Sequence, residues 1–314
     1  MCTGFFNRLF GKDKRSDKKL TGVEEAPEKP PISESATLPA VERKTLETPV
    51  QTRDKLDLPQ LIAGCGQSPG KQRDHNEDAI FMFTTNMASG FSQVQFGLYM
   101  VADGMGGHQN GAIASDVAIR AMASLIIRKL YLTLFNLPEE HPTESLQEIM
   151  QEGIYEAHRS ILKHAPGGGT TLTAALIISD QLSIMHVGDS RAYALNRDGQ
   201  LQVLTRDHSL VKRLEELGQI TPEEAQIHPQ RNVLYRALGQ GEPFEPDFLT
   251  FPLEPISDIF LCSDGLWGVV PNDEIHHIIC SRKSPQQACQ KLIDAANAAG
   301  GPDNISAILA HMPE

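Results

Sequence analysis

From Leu61 onward the chain is a succession of short apolar runs bounded by Gly, Asp and Asn. Runs of this length, rich in branched and aromatic residues and closed by turn formers, read as strands. They predict strands over 78–84, 96–102, 171–179, 182–187, 191–195, 202–205 and 258–262. Asn196-Arg197-Asp198-Gly199 reads as a hairpin turn, because Asp-Gly supplies the positive φ that a tight turn needs. Longer helical periods predict helices over 111–132, 145–164 and 284–299, the last opened by Ser284 as cap and Pro285 in the first turn. Strands follow strands and helices follow helices. That order predicts antiparallel sheets covered by helical layers, not an alternating parallel βαβ sheet.

Before residue 60 the pattern fails. Residues 11–60 are rich in Lys, Glu, Pro, Thr and Ser and hold no sustained period, so too little apolar surface is available to offset ordering entropy. The expected division is a disordered tail or linker over 1–58 and one folded domain over 59–314. Phe5-Phe6-Asn7-Arg8-Leu9-Phe10, followed by Lys12, Lys14, Arg15, Lys18 and Lys19, reads either as a short basic amphipathic anchor or as a solvated start. The second reading is favoured because a single turn is too short to hold a helix.

Charge sharpens this division. Residues 1–58 hold 11 Lys and Arg against 10 Asp and Glu, so the total of −12 leaves −13 for residues 59–314. An acidic domain does not suit a nucleic-acid partner, which needs a basic face; it suits carboxylate sites for divalent cations, and equally mere solubility. The five cysteines are scattered with no Cys-x-x-Cys pair, which fits a reducing, cytoplasmic setting rather than a disulfide or zinc framework. No apolar run reaches the ~18 residues of a transmembrane segment, and none has the form of a leader.

Two strands end alike. Leu98-Tyr99-Met100-Val101-Ala102 leads into Asp103-Gly104, and Ile259-Phe260-Leu261-Cys262-Ser263 leads into Asp264-Gly265. A carboxylate at a strand end is held by the sheet, and the glycine after it lets backbone approach an ion. Asp303-Asn304 and Glu77-Asp78 add further acids, with Arg73 close by in sequence. Read singly, each Asp-Gly is a turn signal, Arg73 a surface charge and Asp303 a cap. Read together, they suit a binuclear metallohydrolase, in which two ions bridged by one carboxylate activate water. Other templates fail: Gly66–Gln72 is too short for a phosphate-binding P-loop, no His-Glu-x-x-His or Gly-x-Ser-x-Gly occurs, and Cys262 lies in an apolar strand as a core thiol.

The ordered set of motifs resembles the type 2C family of metal-dependent protein phosphatases. It comprises Arg73-x-x-Asn76-Glu77-Asp78, Val101-Ala102-Asp103-Gly104-Met105-Gly106-Gly107-His108, Gly169-Thr170-Thr171, His186-Val187-Gly188-Asp189-Ser190-Arg191, Leu204-Thr205-Arg206-Asp207-His208-Ser209, Ser263-Asp264-Gly265-Leu266-Trp267 and Gly301-Pro302-Asp303-Asn304. The resemblance implies an α+β fold, a four-layer α/β/β/α sandwich of two antiparallel sheets flanked by helices. It implies two Mn²⁺ or Mg²⁺ ions and hydrolysis of phosphoserine and phosphothreonine in proteins by a metal-activated hydroxide, in opposition to a cognate serine/threonine kinase. Asp103 would bridge both ions, the Gly104 carbonyl would ligate one, and Asp264 and Asp303 the other. Glu77 and Asp78 would act mainly through water, and Arg73 would grip the phosphate. By the same resemblance Gly188–Arg191 is a structural turn, and residues 207–236 form a flap beside the site.

Two positions depart from the family pattern. Met105 stands where animal relatives carry a His that can donate a proton, which leaves His108 or a water as the candidate general acid. His164-Ala165-Pro166-Gly167-Gly168 lacks the acid with which bacterial relatives often hold a third ion, so a third metal is left open. The alternative reading is a catalytically silent relative that binds phosphoproteins.

Overall fold

Alternate residues of the central strands enter different hydrophobic cores, and this sets the architecture. On the third strand Leu98, Met100 and Ala102 face one core while Tyr99 and Val101 face another. Near the end of the chain Phe260 and Cys262 lie in a third core, and their neighbours Ile259 and Leu261 share the second with Tyr99. Strands buried on both faces read as continuous apolar runs with side chains alternating between layers.

The computed structural model describes residues 60–88, 93–106, 109–135, 144–241 and 244–312. Its strands are β1 (Ile62–Ser68), β2 (Asp78–Ala88), β3 (Gln93–Met105), β4 (Gly169–Thr170), β5 (Leu172–Ile178), β6 (Gln181–Val187), β7 (Arg191–Asn196), β8 (Leu201–Val203), β9 (Asp247–Pro252), β10 (Ile256–Cys262) and β11 (Ile305–His311). They form two antiparallel sheets, β1-β11-β10-β7-β8 and β2-β3-β5-β6-β9, with β4 paired to β3. The helices are α1 (Gln109–Ile126), α2 (Leu146–His164), α3 (Leu210–Glu216), α4 (Pro222–Ile227), α5 (Asp264–Trp267), α6 (Asn272–Cys280) and α7 (Pro285–Ala298). Helices α1 and α2 cover the β3 sheet, and α6 and α7 cover the β10 sheet. The expected four-layer α/β/β/α sandwich is therefore present.

The strands predicted over 78–84, 96–102, 171–179, 182–187, 191–195, 202–205 and 258–262 all fall on observed strands, and β1, β4, β9 and β11 are additional. Ser284 caps α7 by accepting from the Gln287 N–H, with Pro285 in the first turn, as its sequence predicts. A capping box of Ser145 and Glu148 opens α2. The stretch Asn110–Tyr131 is long and apolar enough by composition to cross a membrane. Its Ala114, Ala118, Met122 and Ile126 are fully buried in the sandwich core, which accounts for its hydropathy. The residues assigned to the tail, 1–58, and His108 lie outside the described residues.

Candidate active site

Antiparallel pairing brings several acids to one end of the sandwich. Asp78 opens β2 directly opposite Asp103 near the end of β3. In the other sheet, Asp264 follows β10 and Asp303 precedes β11, with Cys262 paired to Ala307. A Ser263 hydroxyl donates to Asp78 Oδ2 at 2.7 Å and so ties the two sheets at this end. Between them opens a cleft of about 470 Å³ whose walls include Arg73, Glu77, Asp103, Gly104, Asp264 and Asp303. Of the site residues named from sequence that fall among the described residues, all line this cleft save Asp78, which is buried.

Loops are held by specific bonds. Asn304 is the central staple: its Oδ1 accepts from the Glu77 N–H at 2.8 Å, and its Nδ2 donates to the carbonyls of Pro69 and His75 at 3.0 and 2.8 Å. The Thr171 hydroxyl accepts from the Asp103 N–H at 2.9 Å, and the Thr170 hydroxyl donates to the Asp103 carbonyl at 2.8 Å. Both glycines of the Asp-Gly pairs are required by close approach. A Cβ on Gly104 would collide with the Gly111 and Glu77 carbonyl oxygens, and one on Gly265 with the Asn304 carbonyl oxygen.

Electrostatically the site is strained by its own charge. Burial first, then the charges of Asp264 and Asp303, push the Asp78 carboxyl up to about 7. Asp103 is raised well above the ordinary carboxyl range by desolvation and by Asp78 and Asp264, and Asp264 is raised by desolvation and by Asp303. Oδ1 of Asp78 and Oδ1 of Asp264 are buried with no hydrogen-bond partner. Repelling carboxylates with orphaned oxygens fit hard divalent cations, which take oxygen ligands. Among the described residues no three acidic, His or Cys side chains already converge on one point at ligand distance. Asp303 Oδ2 instead accepts from Arg73 Nη2 at 2.8 Å.

The cleft also contains residues to which sequence reasoning gave no such place. Asp189, read as part of a turn, sits in that turn and also lines the cleft, only 6% exposed. Asn232 and Leu234, within the stretch 207–236, form part of the wall. His75 lines the cleft and bonds Glu77 Oε1 through Nε2 at 2.8 Å. Met105 is there too, with no proton to give. Cys262 is fully buried, and burial pushes its thiol far up, in keeping with a core role.

Comparison with known proteins agrees with this geometry. Residues 64–305 match the family described as Protein phosphatase 2C. The serine/threonine phosphatase stp of Listeria innocua serovar 6a is 36% identical over 246 residues, 76% of this chain and 91% of its own. The protein phosphatase PhpP of Streptococcus pneumoniae serotype 2 is 37% identical over 248 residues, 78% of this chain and 95% of its own. Among solved structures, the catalytic domain of the serine threonine protein phosphatase PstP in complex with 2 manganese ions aligns with a TM-score of 0.65 at 30% identity, covering 82% of this chain and 100% of that one. Motif order, two-sheet sandwich and a match over most of the folded residues converge: the chain belongs to the protein phosphatase 2C family, among its bacterial serine/threonine phosphatases.

Proposed function

We propose that this phosphatase hydrolyses phosphoserine and phosphothreonine in protein substrates at a site loaded with two Mn²⁺ or Mg²⁺ ions, in opposition to a serine/threonine kinase. One observation carries the reading: carboxylates from both sheets crowd one cleft with oxygens left unpartnered. Asp103, Asp264, Asp303 and the Gly104 carbonyl would hold the ions, with Glu77 and Asp78 acting mainly through water. When bound, such ions activate water and neutralise charge on the phosphoryl oxygens.

The remaining work falls to the chain. Arg73 presents a planar fork shaped for two phosphate oxygens, and its side chain is half exposed at the cleft. A phosphate entering there competes with Asp303 for the guanidinium. Thr170 and Thr171 fix the backbone on either side of Asp103, and Asn304 fixes the loop that carries Glu77. Because Met105 donates no proton, departure of the serine or threonine oxygen calls on water or His108. The four described cysteines are free, which supports placing the enzyme in a reducing cytoplasm.

Metal loading is expected to depend on pH in a defined direction. Asp78 has a folded pKa above its ordinary value, so its ionised form is penalised at pH 8 and relieved as pH falls through about 7. Cations must displace protons from such groups. The rise in Tm caused by Mn²⁺ is therefore expected to be larger at pH 8 than at pH 6, measured by thermal scans with Mn²⁺ and with chelator. An equal rise at both values would count against carboxylate ligation. Residues 1–58 are proposed as a targeting segment outside the catalytic unit. Their removal is expected to leave turnover of a small aryl phosphate intact at saturating Mn²⁺, and a loss greater than about tenfold, or 1.4 kcal/mol in barrier, would contradict that division.

A further inference from the structure

The turn Gly188–Arg191, between β6 and β7, bonds at once to Thr171 in the cleft wall, to Trp267 at the end of α5 and to His208 in the stretch 207–236. Its Ser190 hydroxyl lies 2.7 Å from the Thr171 hydroxyl, which in turn binds the Asp103 N–H. Its Asp189 carbonyl accepts from the Trp267 indole N–H at 3.0 Å. Its Gly188 carbonyl accepts from the N–H of His208, near the start of the flap, at 2.7 Å. Arg191 completes the set: Nε and Nη2 donate to the two oxygens of Asp207 at 3.0 and 2.7 Å, and the guanidinium lies 3.5 Å from the centre of the Trp267 ring.

Trp267 ends α5, the four-residue helix that Asp264 begins. One helical turn has no stability of its own. The direction of Asp264 therefore depends on what grips the other end of that turn. Leu266 anchors it in the core, and Arg191 covers the indole next to it.

We propose that Arg191 is a positioning residue: held between the Asp207 carboxylate and the Trp267 indole, it fixes α5, and with it Asp264, against the root of the flap 207–236. Both contacts use features peculiar to arginine, a fork that matches a carboxylate and a planar face that stacks on an aromatic ring. Lysine supplies neither. The inference rests on Asp264 being a cation ligand, as proposed above, and it gives the turn a task beyond joining two strands.

The test is calorimetric titration of the full chain with MnCl₂, alongside metal-free thermal scans. The variants are Arg191→Lys, Arg191→Met and Asp207→Asn, with Ile149→Val as a control that loosens the core under α2, in the other helical layer. Loss of support around a ligand typically weakens metal binding by about 10- to 100-fold. Both Arg191 variants are expected to raise the Mn²⁺ Kd by at least about tenfold, and Asp207→Asn by less. Ile149→Val is expected to lower Tm with Kd unchanged. Arg191 variants that lose Tm but keep the parental Kd, as the control does, would overturn the proposal. Should Arg191→Met not fold, Arg191→Lys and Asp207→Asn decide by the same criterion. A parent protein that takes up no Mn²⁺ would overturn the cation site itself, an outcome distinct from failure of the strut.

Discussion

Asp264→Asn is expected to weaken Mn²⁺ binding and phosphate release by at least about 100-fold and, at the same time, to stabilise the metal-free protein at pH 8. The two effects share one cause. Asp264 is raised by desolvation and by Asp303, and Asp103, which lines the same cleft, is raised by desolvation and by the charges of Asp78 and Asp264. Without a cation these charges repel, so an amide relieves the metal-free fold while removing an anionic ligand that a hard cation needs. Groups retained for packing lose stability when altered; a ligand held against its own repulsion gains it. Calorimetric titration and metal-free Tm at pH 8 read both effects. Parental Mn²⁺ affinity in the variant would remove Asp264 from the site. Asp303→Asn is expected to share the loss of affinity without the gain in Tm, because Asp303 already has a partner in Arg73 at 2.8 Å.

Arg73→Ala is expected to lower kcat/KM for an aryl phosphate by about 100-fold, comparable to deleting one preorganised donor to a developing anion. Mn²⁺ affinity should hold or improve, because the change removes a positive charge that interacts with Asp303, Glu77 and Asp103. Arg73→Lys is expected to recover only part of the rate, since an ammonium is a point charge where the fork makes two parallel bonds. Steady-state kinetics at saturating Mn²⁺ separate these effects. Undiminished kcat/KM in Arg73→Ala would leave the arginine as a partner of Asp303 alone.

What the sequence makes legible follows the range of the interaction. Asp103 and Asp264 stand out because each closes an apolar run whose residues fill cores on both faces of a sheet. Strand β1 is harder to read. Its Gly64 is dictated by a distant helix, since a Cβ there would meet the backbone of Gln286, and the glycines in Gly64-Cys65-Gly66 look like a loop. Strand β9 lies at a sheet edge and has no fully buried residue, so its alternation is weak. The flap's two short helices carry local signals, such as the Thr221 and Glu224 capping box, yet nothing local says that Asn232 and Leu234 face the cleft. Likewise the Arg73–Asp303 pair spans 230 positions and the Trp267–Asp189 bond spans 78. Only the closed sandwich brings such partners together.

The most direct measurement is release of inorganic phosphate from a phosphothreonine peptide by the full chain, first with chelator and then with Mn²⁺ restored. The expected result is negligible release with chelator, rapid release with Mn²⁺, and loss of the Mn²⁺-dependent rate in Asp264→Asn. Release that persists undiminished in chelator, or a parent enzyme that binds Mn²⁺ and still leaves the phosphopeptide intact, would contradict a metal-dependent protein phosphatase.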